Sequence, residues 1–172
     1  MEILSVPIHA KPSDMPVSPG FTELYQRYSE TVYRTALRMT GNPADAEDVL
    51  QTVFLRVLNQ GDRLDPAVVP EGYFRRAATN AALDTLRRRV TRAETQLDET
   101  LPYAARGSPP LLKERLRRAI AALEQRDAEM FLLRYVEGLS NGELGELYGL
   151  EKTSVAVRLH RIRQALQAEL ER

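Results

Sequence analysis

SNGELGELYGLEKTSVAVRLHRIRQALQAEL, residues 140–170, reads as a short helix, a tight turn and a long helix. Ser140 and Glu143 have capping-box spacing: the hydroxyl accepts the N–H three residues on, and the glutamate reaches back to the serine N–H. The short helix runs to Leu147, Tyr148-Gly149-Leu150 makes the turn, and the long helix starts near Lys152. Val155, Leu159, Ile162, Leu166 and Leu170 then recur at three- and four-residue steps, which gives one buried stripe. A capped short helix, a glycine turn and a longer helix are the parts of a helix-turn-helix. Opposite the stripe fall Val157, His160, Arg161 and Gln164, with Arg158 and Arg163 on the flanks, and no acid occurs between Lys152 and Ala168. Arginine at such positions bonds guanine edges in the major groove, while Ser154 and the flanking arginines hold phosphates. A solvated basic face is the plainer reading of the charges alone; the cap, turn and stripe together favour DNA.

Upstream, helical periodicity continues. Leu112, Leu116, Ile120 and Leu123 mark one helix, and Asp127 is positioned to cap the next, which ends at Gly138. Residues 93–110 lack a sustained period and read as a flexible linker. Fully extended at about 3.3–3.6 Å per residue they would reach roughly 60 Å, enough for two modules to engage separate places on one large partner. Residues 1–20 carry four of the ten prolines and read as a disordered arm. Between them, residues 21–92 give three helices. The first carries Leu24, Tyr25, Tyr28, Val32, Ala36 and Met39 at helical spacing. Asn42-Pro43 caps and starts the second, and the third spans about Glu71 to Arg92. The expected fold is all-α: two small helical bundles joined by that linker, with the helix-turn-helix in the C-terminal one, residues 111–172.

The third helix has two characters. Phe74, Ala77, Ala78, Ala81 and Ala82 form a close-packing side, and Tyr73, Arg76, Asn80, Asp84 and Arg87 form a contiguous arc that Arg88, Arg89 and Arg92 extend. A ring for base stacking, an amide for a base edge and guanidiniums for phosphates suit single-stranded DNA. The same residues also fit a Tyr73 packed in the core and arginines that only solvate the helix end. The second helix is acidic at its start, with Asp45, Glu47 and Asp48 before Gln51 and Thr52. Those acids serve the helix dipole or present a face to a protein.

The 172 residues balance 24 basic against 24 acidic side chains, so a uniformly basic coat is excluded. There is no cysteine, and the only histidines are His9 and His160, which excludes disulfides, thiol catalysis and a cysteine- or histidine-rich metal site. No apolar run nears the ~20 residues of a membrane span, and the amino terminus lacks a secretory pattern. A cytoplasmic protein without cofactor or membrane insertion is expected. There is no glycine-rich phosphate loop and no pair of acids facing a predicted pocket, so the sequence gives little support to an enzyme.

Taken in order, three blocks of the sequence resemble bacterial RNA polymerase sigma factors of the compact extracytoplasmic-function (ECF) type. DAEDVLQTVFL at 45–55 is similar to that family's core-binding helix, and YFRRAATNAALD at 73–84 with Arg87-Arg88-Arg89 to its promoter-melting and minus-ten helix. FLLRYVEGLS at 131–140 leads into a helix-turn-helix like the one that reads the minus-thirty-five element. The resemblance implies no catalysis, and binding of core polymerase through Asp45, Glu47, Asp48 and Gln51. It implies capture of unpaired minus-ten bases by Tyr73, Arg76, Asn80, Arg87 and Arg88. Ser154, Val157, Arg158, Arg161 and Arg163 would hold the minus-thirty-five duplex. It also implies an anti-sigma factor as a further partner. Tyr73 stands where the family often has Trp, Glu151 where a hydroxyl cap is common, and Gly145 where a small Ala is usual, at a helix cost of about 1 kcal/mol. The competing reading is a stand-alone helix-turn-helix regulator, in which the acidic helix and the Arg/Asn/Tyr helix have no obvious task.

Overall fold

Asn42 starts the second helix as its spacing predicts: its side-chain oxygen accepts the N–H groups of Ala44 (2.9 Å) and Asp45 (3.2 Å), while Pro43 occupies the first helical position. The computed structural model describes residues 19–97 and 109–172. Its helices are α1 (Pro19–Thr40), α2 (Pro43–Gln60), α3 (Glu71–Leu97), α4 (Pro109–Ala122), α5 (Gln125–Tyr135), α6 (Asn141–Tyr148) and α7 (Lys152–Glu171), with a single 3-10 turn at Gly61–Arg63. Among the described residues there is no strand.

The first three helices build the front bundle. Leu24, Val32, Ala36 and Met39 of α1 meet Val49, Val53, Phe54 and Val57 of α2 and Phe74, Ala78, Ala81 and Ala82 of α3, all buried. The alanines let α3 lie close, and each larger apolar side chain buried there contributes about 1.5–3 kcal/mol. Tyr28 stacks on Phe74 at 4.3 Å and donates its hydroxyl to the Val69 carbonyl at 3.0 Å, which ties the loop before α3 to the core.

In the rear bundle the expected stripe is in place: Val155, Leu159, Ile162 and Leu166 are buried against Ala128, Leu132, Leu133 and Leu144, and Leu170 packs at the edge. The capping box forms as expected, with Ser140 accepting the Glu143 N–H and the Glu143 carboxylate accepting the Ser140 N–H at 2.7 Å. Those bonds hold the Glu143 carboxyl below its ordinary pKa. Its contribution is therefore complete above the ordinary carboxylate range and is lost as pH falls through the lowered value.

Several boundaries differ from expectation. α3 continues past Arg92 to Leu97 because residues 93–97 contain neither Gly nor Pro. α4 starts at Pro109, since prolines in a first turn lose no hydrogen bond. The expected linker thus has helical ends, and its middle, 98–108, lies outside the described residues. So do residues 1–18 of the expected arm. Leu112, expected on the buried face of α4, is 60% exposed. Asp127 does not cap α5. The helix begins at Gln125 with Glu124 as N-cap, so Asp127 falls inside the first turn and its carboxylate turns to Arg158.

Gly149 ends α6 in the left-handed conformation (φ 64°), as the turn requires. Gly145 has a different reason. A Cβ built there would lie 2.5 Å from the Leu150 carbonyl oxygen, a backbone atom that the turn itself fixes. Ala at 145 would gain up to about 1 kcal/mol of helix propensity but lose about 1–3 kcal/mol to the clash. We expect Gly145→Ala to lower the melting temperature by roughly 2–4 °C in a calorimetric scan; a raised melting temperature would show that the turn yields freely.

The two bundles are packed together. Their buried side chains form one continuous cluster, and α3 lies against both α4 and α5.

Candidate nucleic-acid and polymerase interfaces

α7 presents the polar side that its sequence predicts. Ser154, His160, Arg161 and Arg163 are exposed, and Val157 is 53% exposed at the centre of the face. Thr153, Ser154, Val157 and Arg161 line a shallow trough with Leu123 and Asp127. Arg158 departs from its neighbours. It is half-buried, and its Nε donates to Asp127 Oδ1 at 2.6 Å, with Glu124 at 4.0 Å beyond. That pair fixes the first turns of α7 to the start of α5.

On α2, Glu47, Asp48 and Gln51 lie on the exposed side, away from Val49 and Val53. Asp45 is pulled inward by Arg89 of α3 at 2.6 Å. Beside Gln51 runs an apolar groove lined by Phe21, Tyr25, Leu50, Phe54, Leu55 and Leu58. Leu55 is 58% and Tyr25 43% exposed. Sequence reading missed this groove because Tyr25 belongs to the same helical stripe as the core residues. The available signal was Leu55, which lies off the buried stripe of α2.

The arc on α3 holds the surprise. Arg76, Asn80 and Arg87 face the rear bundle. Arg76 donates to the carboxylate of Glu129, whose side chain is 3% exposed, and lies 4.9 Å from the Tyr148 ring. Tyr148 donates to the same carboxylate at 2.7 Å. Burial, and then this bond, push its hydroxyl pKa well above the ordinary value, so it stays a donor. Gln125 donates to Asn80 Oδ1 at 2.8 Å and accepts from Arg87. Arg87 also donates to the carbonyls of Ala121 (3.1 Å) and Leu123 (2.7 Å), where the end of α4 leaves them without helical partners. A second carboxylate, Glu137, is 1% exposed, accepts from Thr35 at 2.8 Å, and lies 3.2 Å from Arg38 and 3.7 Å from Arg75. Tyr73 is half-buried, edge-on to Phe74 at 5.3 Å, and Arg88 and Asp84 are exposed.

Residues 24–92 match the family described as Sigma-70 region 2, and residues 113–166 match Sigma-70, region 4. The RNA polymerase sigma factor CarQ of Myxococcus xanthus is 34% identical over 83% of this chain and 84% of its own. This chain belongs to the RNA polymerase sigma factors of the ECF type. The ECF RNA polymerase sigma factor SigE of Mycolicibacterium smegmatis is 32% identical over 90% of this chain, which spans 63% of the SigE length. The fold is shared with CnrH, solved in complex with the cytosolic domain of CnrY: TM-score 0.51 and 22% identity, over 88% of this chain and 87% of that one. The sigma factor therefore works in promoter-specific transcription initiation with RNA polymerase. Among its described residues no cluster of His, Asp or Glu could hold a metal ion, and no helix is long and apolar enough to cross a membrane.

Proposed function

We propose that this sigma factor divides its work as its helices divide their charge. Glu47, Asp48 and Gln51 of α2, with Asp45 held behind them by Arg89, dock on core polymerase, and the neighbouring groove of Tyr25 and Leu55 supplies apolar contact. Tyr73, Arg76, Asn80, Arg87 and Arg88 of α3 take the unpaired minus-ten strand. Ser154, Val157, Arg161 and Arg163 meet the minus-thirty-five duplex, while Arg158, anchored to Asp127, sets the angle of α7. On this reading residues 21–92 and 111–172 are separate working modules. The protein acts in the cytoplasm, carries out no catalysis, and is held in check by an anti-sigma factor that covers the same faces.

The observation that carries this reading is the opposition of two exposed faces. One is acidic with an apolar groove beside it, on α2; the other is basic, on α7. A duplex binds only the second, so the first is left for a protein. The test is a pull-down of native core polymerase by the purified protein, followed by run-off transcription on genomic fragments. Asp48→Arg is expected to weaken core affinity by about tenfold, since a reversed charge at a complementary contact costs of the order of 1–2 kcal/mol, without lowering the melting temperature. Unchanged core affinity would remove α2 as the docking face.

A further inference from the structure

We infer that Val157 is a specificity residue: its two methyl groups read the C5-methyl of a thymine in the minus-thirty-five duplex, close to a guanine held by Arg161. The inference rests on the reading of α7 given above and adds which base, and which atom of it, is selected.

Among the described residues of α7, Val157 is the one exposed side chain that is both apolar and larger than alanine. It stands two residues from Val155 and two from Leu159, both buried, so it points away from the bundle. Thr153, Ser154, His160 and Arg161, its neighbours one turn to either side, are all exposed. The fold gives no return for a valine here. A β-branched side chain lowers helix propensity against alanine, and an exposed one recovers none of it by packing. A surface that covers it does recover it, and Val157 lies in the second turn of the helix, within the part that reaches base edges.

Valine has neither donor nor acceptor, so it selects by shape. The major groove offers it a single apolar group, the thymine methyl, whereas the other bases present polar edges. Those edges would lose water beneath valine without gaining a hydrogen bond. A helical valine also holds one strongly preferred rotamer, so little freedom is lost when its methyls dock. The neighbouring arginines leave the position to it. Arg158 is turned to Asp127 at 2.6 Å. Arg161 is exposed and four residues on, about 6 Å along the axis, close to two duplex steps of about 3.4 Å each. Arginine bonds guanine O6 and N7, so a thymine and a guanine about two steps apart suit this pair of side chains.

The test assembles the full chain with native core polymerase and selects from duplexes that carry a randomised stretch. The enriched duplex is remade with deoxyuridine in place of one thymine at a time, which deletes a single methyl group, and affinity is read by gel shift. At one position the parent should lose about three- to fivefold, the scale of one buried methyl. Val157→Ala should melt no lower than the parent, because alanine is the better helix former. In that variant the thymine and deoxyuridine duplexes should bind alike, since the two deletions remove opposite ends of one contact. An enriched sequence without thymine, or a scan in which no methyl matters, overturns the inference while the reading of α7 stands. A methyl effect that persists undiminished in Val157→Ala does the same, because the methyl would then act through the shape of the duplex. The underlying reading is judged apart by Arg161→Ala. If that variant enriched the same sequence as strongly as the parent, or if the parent enriched none, α7 would not be the reader and the inference would fall with it.

Discussion

Phe74→Ala should cost about 3–5 kcal/mol of stability, whereas Tyr73→Ala, one residue earlier, should cost much less and yet impair promoter opening severely. Phe74 is fully buried, stacked on Tyr28 at 4.3 Å and on Phe54 at 5.7 Å. Removing the ring empties the middle of the three-helix front bundle, and the surrounding helices cannot collapse into the space without losing α1–α3 contact. That loss is a large share of the ~5–15 kcal/mol that holds a domain together. Tyr73 is half-buried and pairs edge-on with Phe74, a contact of about 0.5–1.5 kcal/mol. Its larger role is on the strand: stacking of one base contributes about 1–3 kcal/mol, equivalent to roughly 5- to 150-fold in open-complex yield. Denaturant melts and permanganate footprinting in holoenzyme separate the two effects, and Tyr73→Phe should restore opening. A Phe74→Ala protein that lost under ~1 kcal/mol would mean that the ring is not packed as the structure has it. Normal opening by Tyr73→Ala would deny the stacking role.

The contrast between those neighbours was legible in the sequence because it is local. A helical wheel separates Phe74 from Tyr73 by about 100°, and alanines at 78, 81 and 82 mark the packed side. The same local rules placed the caps at Asn42 and Ser140 and the stripe from Val155 to Leu166. What they could not place is the direction in which the α3 arc points. Arg76 meets Glu129 and Thr35 meets Glu137 across sequence separations of 53 and 102 residues, far beyond any periodicity window. A polar arc facing water and one facing a second bundle have the same pattern. Asp127 failed as a cap for a related reason. Its side chain had a tertiary partner, Arg158, and the helix could start three residues earlier at the cost of an N-cap without a side-chain bond.

That partner makes a prediction about how duplex DNA is read. Sequence alone puts both Arg158 and Arg161 on the DNA-facing side, the first on its flank and the second opposite the buried stripe. The structure separates them, since Arg161 is exposed and has no ion pair among the described residues, while Arg158 is bound to Asp127 at 2.6 Å. Arg161→Ala should then weaken minus-thirty-five duplex binding by about 1–3 kcal/mol and leave the melting curve unchanged. Arg158→Ala should act through the α5–α7 contact instead. It should lower stability together with affinity, Asp127→Ala should do the same, and the double variant should be little worse than either single one, as for two ends of one interaction. If Arg158 were a base reader that Asp127 merely restrains, Asp127→Ala would free it. Affinity would then rise or hold while Arg158→Ala alone lost it, so the sign of the Asp127→Ala effect in a gel-shift titration decides between the two. The expected sign is a loss. A helix enters the groove only as accurately as the bundle beneath it is fixed, and the short Asp127–Arg158 bond is what ties its leading turns to α5.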